Sequence, residues 1–120
     1  MKILQSAEDY LETIYQIQKE KGQVRSIDIA RDLNYSKASV SIAMKKLREN
    51  NYIQIDGNGF IFLTDSGLSI AKRINDRHEL LTNALIALGV SKEQAEIDAC
   101  KVEHNISEET FEAIKKHYKK

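Results

Sequence analysis

The sequence predicts a mostly α chain with one short β-hairpin near its middle, on three observations. Apolar residues recur at three- and four-residue spacing through most of the 120 positions. Proline is absent and glycine occurs only five times, so the helical runs are seldom interrupted. Two β-prone runs, Tyr52 to Ile55 and Phe60 to Leu63, flank Asp56-Gly57-Asn58-Gly59, residues that tolerate positive φ.

Ser6 is placed to cap a first helix in which Tyr10, Leu11, Ile14 and Ile17 form the apolar stripe and Gly22 marks the end. Ser26 opens, from the cap position, a short second helix, Ile27 to Leu33, with Ile27, Ala30 and Leu33 on one side. Asn34 and Tyr35 make a turn, and Ser36 caps a third helix over 37–50 with Val40, Met44 and Leu47 inward. Its other faces carry Lys37, Ser39, Ser41, Lys45, Lys46 and Arg48. Two short helices joined by a tight turn, the second starting with small polar residues, form the pattern of a helix-turn-helix. The hairpin that follows makes it winged.

Thr64 and Asp65 start a long helix over 66–88 with Leu68, Ala71, Ile74, Leu81, Leu85 and Leu88 on one face. Ile70, Leu80, Ala84 and Ile86 widen that face beyond what one small domain buries, which points to a partner subunit. Gly89 ends it, Ser91 and Gln94 form a capping box for the next helix, and Ser107 caps a last helix with Phe111 and Ile114 inward and a basic tail to Lys120. The expected division is a winged helix-turn-helix DNA-binding domain over 1–65 and an all-helical domain over 66–120.

Formal net charge is zero, but its distribution is uneven. From Arg25 to Asn50, six basic residues stand against three acidic ones, a net +3 that suits phosphates. From Val90 to Glu112, two basic residues stand against seven acidic ones, a net −5 that suits cations. No apolar run reaches membrane-spanning length, and a single cysteine cannot form an internal disulfide. The expectation is a soluble cytoplasmic protein with no membrane partner.

Cys100, Glu103 and His104 stand at i, i+3 and i+4 in the run from Ser91 to Ile106. On a helix they project from one face and offer a thiolate, a carboxylate and an imidazole, half of a transition-metal site. Asp9, Glu12 and His78 are the upstream candidates for the other half. Spacing alone leaves a second reading open, in which the Glu-His pair is a solvated face and the cysteine a small buried residue. A thiol nucleophile activated by His104 would need an oxyanion device and a third orienting group, and neither is visible, so no enzyme is predicted.

The segments Glu8-Asp-Tyr-Leu-Glu-Thr-Ile-Tyr15, Ile27-Asp-Ile-Ala30, Ser36 to Leu47, Leu63-Thr-Asp-Ser-Gly67, Arg77-His-Glu-Leu-Leu81 and Cys100-Lys-Val-Glu-His104 together resemble the metal-dependent transcription regulators of the diphtheria-toxin-repressor and manganese-transport-regulator type. The resemblance runs in family order over nearly the whole chain. It implies a homodimer of winged helices, lacking the SH3-like domain of the longer iron type, whose helical part serves dimerisation and metal binding. It implies metal ligands at Asp9, Glu12, His78, Cys100, Glu103 and His104, and a repressor of metal-uptake or homeostasis genes acting on a pseudo-palindromic double-stranded operator. By family position Ser36, Ala38 and Ile42 face bases, with Ser39 and Ser41 nearby, while Lys37, Lys45 and Lys46 meet phosphates. Asp9 and Glu12 follow the manganese pattern and Cys100 the iron pattern. Thr82 and Glu96 stand where the iron type's ancillary site uses an acid and a histidine. The thiolate leans the choice toward Fe(II), with Mn(II) the close alternative and Zn(II) or Co(II) able to bind in vitro. The competing reading is a metal-independent winged-helix DNA-binding or adaptor protein.

Overall fold

The computed structural model describes residues 5–118; the last two residues of the basic tail, Lys119 and Lys120, lie outside them. The element order is α1 (Gln5–Lys21), α2 (Ser26–Leu33), α3 (Lys37–Glu49), β1 (Ile53–Ile55), β2 (Ile61–Leu63), α4 (Asp65–Ala87), α5 (Lys92–Val102) and α6 (Glu108–Tyr118). The chain forms two compact units, 1–72 and 73–120, and their boundary falls within α4. No helix among the described residues is long and apolar enough to cross a membrane.

In the first unit α1 packs on α2 and β2, α2 on α3, and α3 on β1. Their shared core holds Leu11, Ile14, Ile17, Val24, Ile29, Val40, Met44, Leu47, Ile53, Ile61 and Ala71. The α1 and α3 stripes are the expected ones. The α2 stripe is displaced: Ile29 and Ala30 are buried while Ile27 and Leu33 are half-buried. The buried centre of the helix falls on the line Ser26, Ile29, Ala30 and Leu33, whose middle two residues are buried and whose ends are half-buried. Two caps also differ from expectation. Ser6 lies inside α1, which already includes Gln5, and Ser26 is the first residue of α2, whose N-cap is Arg25. Asp28 explains the second case, because its Oδ2 accepts the Arg25 backbone N–H at 2.9 Å and closes the helix start one residue earlier.

The turn between α2 and α3 is built on Asn34, held in the left-handed region at φ 58°, with the Tyr35 N–H donating to the Ala30 carbonyl at 3.0 Å. Ser36 then caps α3, its Oγ accepting the Ser39 N–H at 3.1 Å. Tyr10 and Tyr35 meet edge to face with centroids 6.0 Å apart. Burial, and then the neighbouring Tyr35, hold the Tyr10 hydroxyl above the usual tyrosine range, so it stays protonated.

The wing is a two-stranded antiparallel ribbon in the register Ile53 to Leu63, Gln54 to Phe62 and Ile55 to Ile61. Ile53 and Ile61 point into the core while Gln54 and Phe62 face out, the alternation a half-buried ribbon requires. Asp56 Oδ1 accepts the N–H groups of Asn58 and Phe60, both at 2.9 Å, and Gly59 takes φ 84°. At the turn end of the ribbon the Ile61 N–H donates to Val24 O at 2.8 Å, and the Arg25 guanidinium lies 4.3 Å from the Phe60 ring centroid.

Thr64 closes the unit. Its N–H donates to Tyr52 O at 3.1 Å, its hydroxyl donates to Asn51 O at 2.7 Å, and its Oγ1 accepts the Gly67 N–H at 3.2 Å. A Cβ on Gly67 would overlap the Tyr52 carbonyl, a backbone atom that cannot swing away. Gly67→Ala is therefore expected to destabilise the chain by about 1–3 kcal/mol, the usual cost of overpacking, measured by urea denaturation. An unchanged midpoint would mean that this junction is looser than the structure shows.

In the second unit Ile74, Leu81, Ala95, Ala99 and Phe111 are buried. Ser91 caps α5, accepting the Gln94 N–H at 3.3 Å, but Gln94 turns its amide to Asp98 at 2.9 Å, so only half of the expected capping box forms. Ser107 caps α6 through the Thr110 N–H at 3.0 Å.

Candidate functional site

The polar face of α3 follows from its stripe. With Val40, Met44 and Leu47 buried, Ser36, Lys37, Ala38, Ser39, Ser41, Ile42, Lys45 and Lys46 are all exposed. Ile42 is 59% exposed, an apolar side chain held in water among hydroxyls and lysines. Ser36 and Ser39 are tied to each other, Ser36 Oγ donating to Ser39 Oγ at 2.9 Å. Asp9 and Glu12 lie three residues apart on α1, Asp9 half-buried and Glu12 buried. The Asp9 carbonyl accepts the Thr13 hydroxyl at 2.8 Å.

The second unit brings together three of the expected donors. Ala95, Ala99 and Glu103 recur every four residues and are all fully buried, so the small side chains of α5 make a narrow inward face that ends on a carboxylate. Glu103 Oε2 lies 2.8 Å from His78 Nδ1, and Glu103 Oε1 lies 3.3 Å from His104 Nε2. His78 comes from α4 and its side chain is 24% exposed; that of His104 is 1% exposed. Cys100, one residue past Ala99, is exposed and forms no disulfide. The expected one-face arrangement is thus divided in its surroundings: Glu103 is enclosed and Cys100 reaches solvent.

The helix expected through Ile106 stops at Val102. Glu103 keeps helical dihedrals at φ −56° and ψ −29°, and the chain then turns through Asn105 and Ile106, whose N–H groups both donate to Val102 O, at 2.9 and 3.1 Å. Glu103 and His104 consequently sit on a turn, and a turn needs its own anchoring. Arg77 supplies it. Its Nη1 donates to the carbonyls of Glu103 at 3.0 Å and Ile106 at 3.3 Å, its Nη2 donates to Glu108 Oε2 at 2.7 Å, and the guanidinium lies 5.1 Å from the Phe111 ring centroid.

Sequence reasoning assigned Arg77 no role. The signal was present: Ile74, Arg77 and Leu81 follow the buried stripe of α4, and a cation at a stripe position needs a specific set of acceptors.

A carboxylate with no solvent exposure is costly to hold as an anion unless positive charge or donors surround it. Glu103 Oε1 accepts no hydrogen bond among the described residues, and imidazole nitrogens flank both oxygens. A divalent cation suits that donor chemistry, since carboxylate and imidazole bind Mn(II), Fe(II), Co(II) and Zn(II) alike.

A helix-turn-helix with a wing, followed by a helical unit carrying a buried carboxylate–imidazole cluster, defines a DNA-binding regulator with a ligand-binding helical part. The chain belongs to the iron-dependent repressor family. Residues 2–59 match the family's N-terminal DNA-binding domain, and residues 64–120 match its metal-binding and dimerisation domain. The family consists of transcription regulators and not enzymes.

The chain is similar to the transcriptional regulator MntR of Escherichia coli O157:H7, at 36% identity over 108 residues, covering 90% of this chain and 70% of that protein. It is 36% identical over 113 residues to an uncharacterized HTH-type transcriptional regulator, MJ0568, of Methanocaldococcus jannaschii, covering 92% of this chain and 90% of that one. Among solved structures it is similar to the metal-dependent transcriptional regulator MtsR, with a TM-score of 0.86 at 25% identity over 94% of this chain. It is also similar to a manganese-dependent transcriptional repressor in complex with manganese, with a TM-score of 0.82 at 29% identity over 90% of this chain. It spans 53% and 50% of the lengths of those two solved chains.

Glu103→Gln removes the buried charge while keeping the side chain's shape. The metal-free variant is expected to be as stable as the parent or more stable by about 1 kcal/mol, because a buried anion is weak support for a fold. Thermal denaturation without metal checks this, and a loss of more than about 2 kcal/mol would mean that the carboxylate serves the fold itself.

Proposed function

We propose that this chain is a metal-dependent transcriptional repressor, in which a divalent cation bound by Asp9, Glu12, His78, Cys100, Glu103 and His104 favours the operator-binding form. The observation that carries the reading is the fully buried Glu103 carboxylate between His78 and His104. The bound metal would supply positive charge where those residues supply lone pairs. Residues 1–65 are assigned to DNA and 66–120 to dimerisation and metal binding. Affinity for DNA then rises by the difference in metal affinity between the two conformational states.

The exposed start of α3 is the reading surface. Ser36, Ala38 and Ile42 are proposed to face base edges, with Ser39 and Ser41 beside them, and Lys37, Lys45 and Lys46 to meet phosphates. The exposure of Ile42 supports this, because an apolar side chain there fits a thymine methyl group. A homodimer places two such helices about one helical turn apart on a pseudo-palindrome in the cytoplasm.

Two observations bear on which metal. A similar solved structure is a manganese-dependent transcriptional repressor in complex with manganese, which favours Mn(II). The thiol of Cys100 favours softer Fe(II), with Co(II) or Zn(II) as in vitro substitutes.

The test uses a duplex selected by the protein from random-sequence DNA in the presence of Mn(II), titrated anaerobically with and without Fe(II), Mn(II) or Zn(II). Binding is expected to require metal, and Cys100→Glu to move the preference toward Mn(II). Affinity unchanged by chelator would leave a metal-independent winged-helix protein. On the same duplex, Lys46→Ala is expected to lower the slope of log affinity against log salt by about 0.9, the effect of one lost phosphate contact. An unchanged slope would remove Lys46 from the interface.

A further inference from the structure

We propose that Arg77 is a positioning residue for the metal, setting the turn that carries Glu103 and His104 against the imidazole of His78; the inference rests on the metal-dependent reading above.

The turn after α5 has no long-range backbone pairing of its own. α5 ends at Val102 with the Asn105 and Ile106 N–H groups folding back onto the Val102 carbonyl, α6 begins at Glu108, and the carbonyls between them need outside donors. Asn105 covers Lys101 O through its side-chain amide at 2.8 Å. Arg77 covers Glu103 O and Ile106 O, at the two ends of the turn, with one nitrogen. Its other terminal nitrogen reaches Glu108 in the first turn of α6. One planar group thus fixes the entrance, the exit and the following helix start, and its own side chain is only 10% exposed.

Its place on α4 makes this relevant to the cluster. Arg77 is the residue before His78, so the same helical turn that presents the imidazole to Glu103 Oε2 also grips the Glu103 carbonyl. The carboxylate is therefore held from both ends of its residue by adjacent residues of α4. A change at Arg77 releases the Glu103 carbonyl and moves its carboxylate relative to His78 while both side chains stay chemically intact. A lysine cannot reproduce the fork, because an ammonium is a point donor on a flexible stem.

The experiment measures Mn(II) affinity of the full chain by EPR titration, and the visible absorption of the Co(II)-saturated protein, in wild type, Arg77→Met, Arg77→Lys, Glu108→Gln and the control Ile74→Val. Arg77→Met is expected to weaken Mn(II) binding about ten- to a hundred-fold, the range for a residue supporting metal ligands, and to shift the Co(II) bands at saturation. Arg77→Lys is expected to fall between, and Glu108→Gln to weaken binding a few-fold. Ile74→Val should lower the melting temperature and leave both metal readouts alone, since a loss of fold stability does not alter the spectrum of the saturated site. If Arg77→Met does not fold, the lysine and Glu108 variants decide. Wild-type binding with Arg77 and Glu108 variants within two-fold and unshifted bands would overturn the positioning role alone. No Mn(II) or Co(II) binding by wild type would overturn it together with the metal-dependent reading.

Discussion

A carboxylate fully removed from water is the constraint on which the second unit is organised. Glu103 ends the line of Ala95 and Ala99, so the helix that presents it has to be thin there, and the alanines supply that. Imidazoles from α4 and from the turn itself come to its two oxygens. Arg77 then holds the backbone of the same residue. Such an arrangement gives little net stability, because desolvation of the charge offsets most of the attraction. Its value lies in what it presents: convergent oxygen and nitrogen donors kept out of water, where a divalent cation gains most from them.

The first unit obeys a different constraint. Its core is an ordinary apolar cluster, and the care is spent on junctions: Asn34 in the left-handed region, Ser36 at the cap of α3, Asp56 in the hairpin, and Thr64 with Gly67 where the wing meets α4. Each junction fixes where α3 or the ribbon emerges. The outcome is a helix whose exposed start carries small hydroxyl side chains, Ile42 and lysines together. That composition suits the proposed reading role, with lysines for phosphates and small or apolar side chains for modest base contact beside readout of DNA shape.

Much of this was legible in the sequence, because helices declare themselves by spacing and turns by a few residue types. The stripes Leu11, Ile14, Ile17 and Val40, Met44, Leu47 are buried as their periodicity requires, and the Asp56 to Gly59 hairpin sits where its turn residues place it. Ser6 falls inside α1, and at α2 the Asp28 carboxylate gives the cap to Arg25 rather than to Ser26, a choice between neighbours that spacing does not reveal. The helix expected through Ile106 ends earlier, where Arg77 and Asn105 bring donors to the carbonyls of Glu103 and Lys101. Those donors are tertiary or side-chain choices, invisible to a pattern of spacings. The chemical identities in the cluster were legible; the enclosure of Glu103 and the exposure of Cys100 were not, because burial depends on what packs against α5.

If His78, Cys100, Glu103 and His104 hold a metal as proposed, X-ray absorption of the Zn(II)-loaded protein will show imidazole scattering with zinc–nitrogen or zinc–oxygen distances of about 2.0–2.2 Å, together with one sulfur at about 2.3 Å. A shell of oxygen alone, with neither imidazole nor sulfur, would place the ion on the exposed acidic surface and rule that site out.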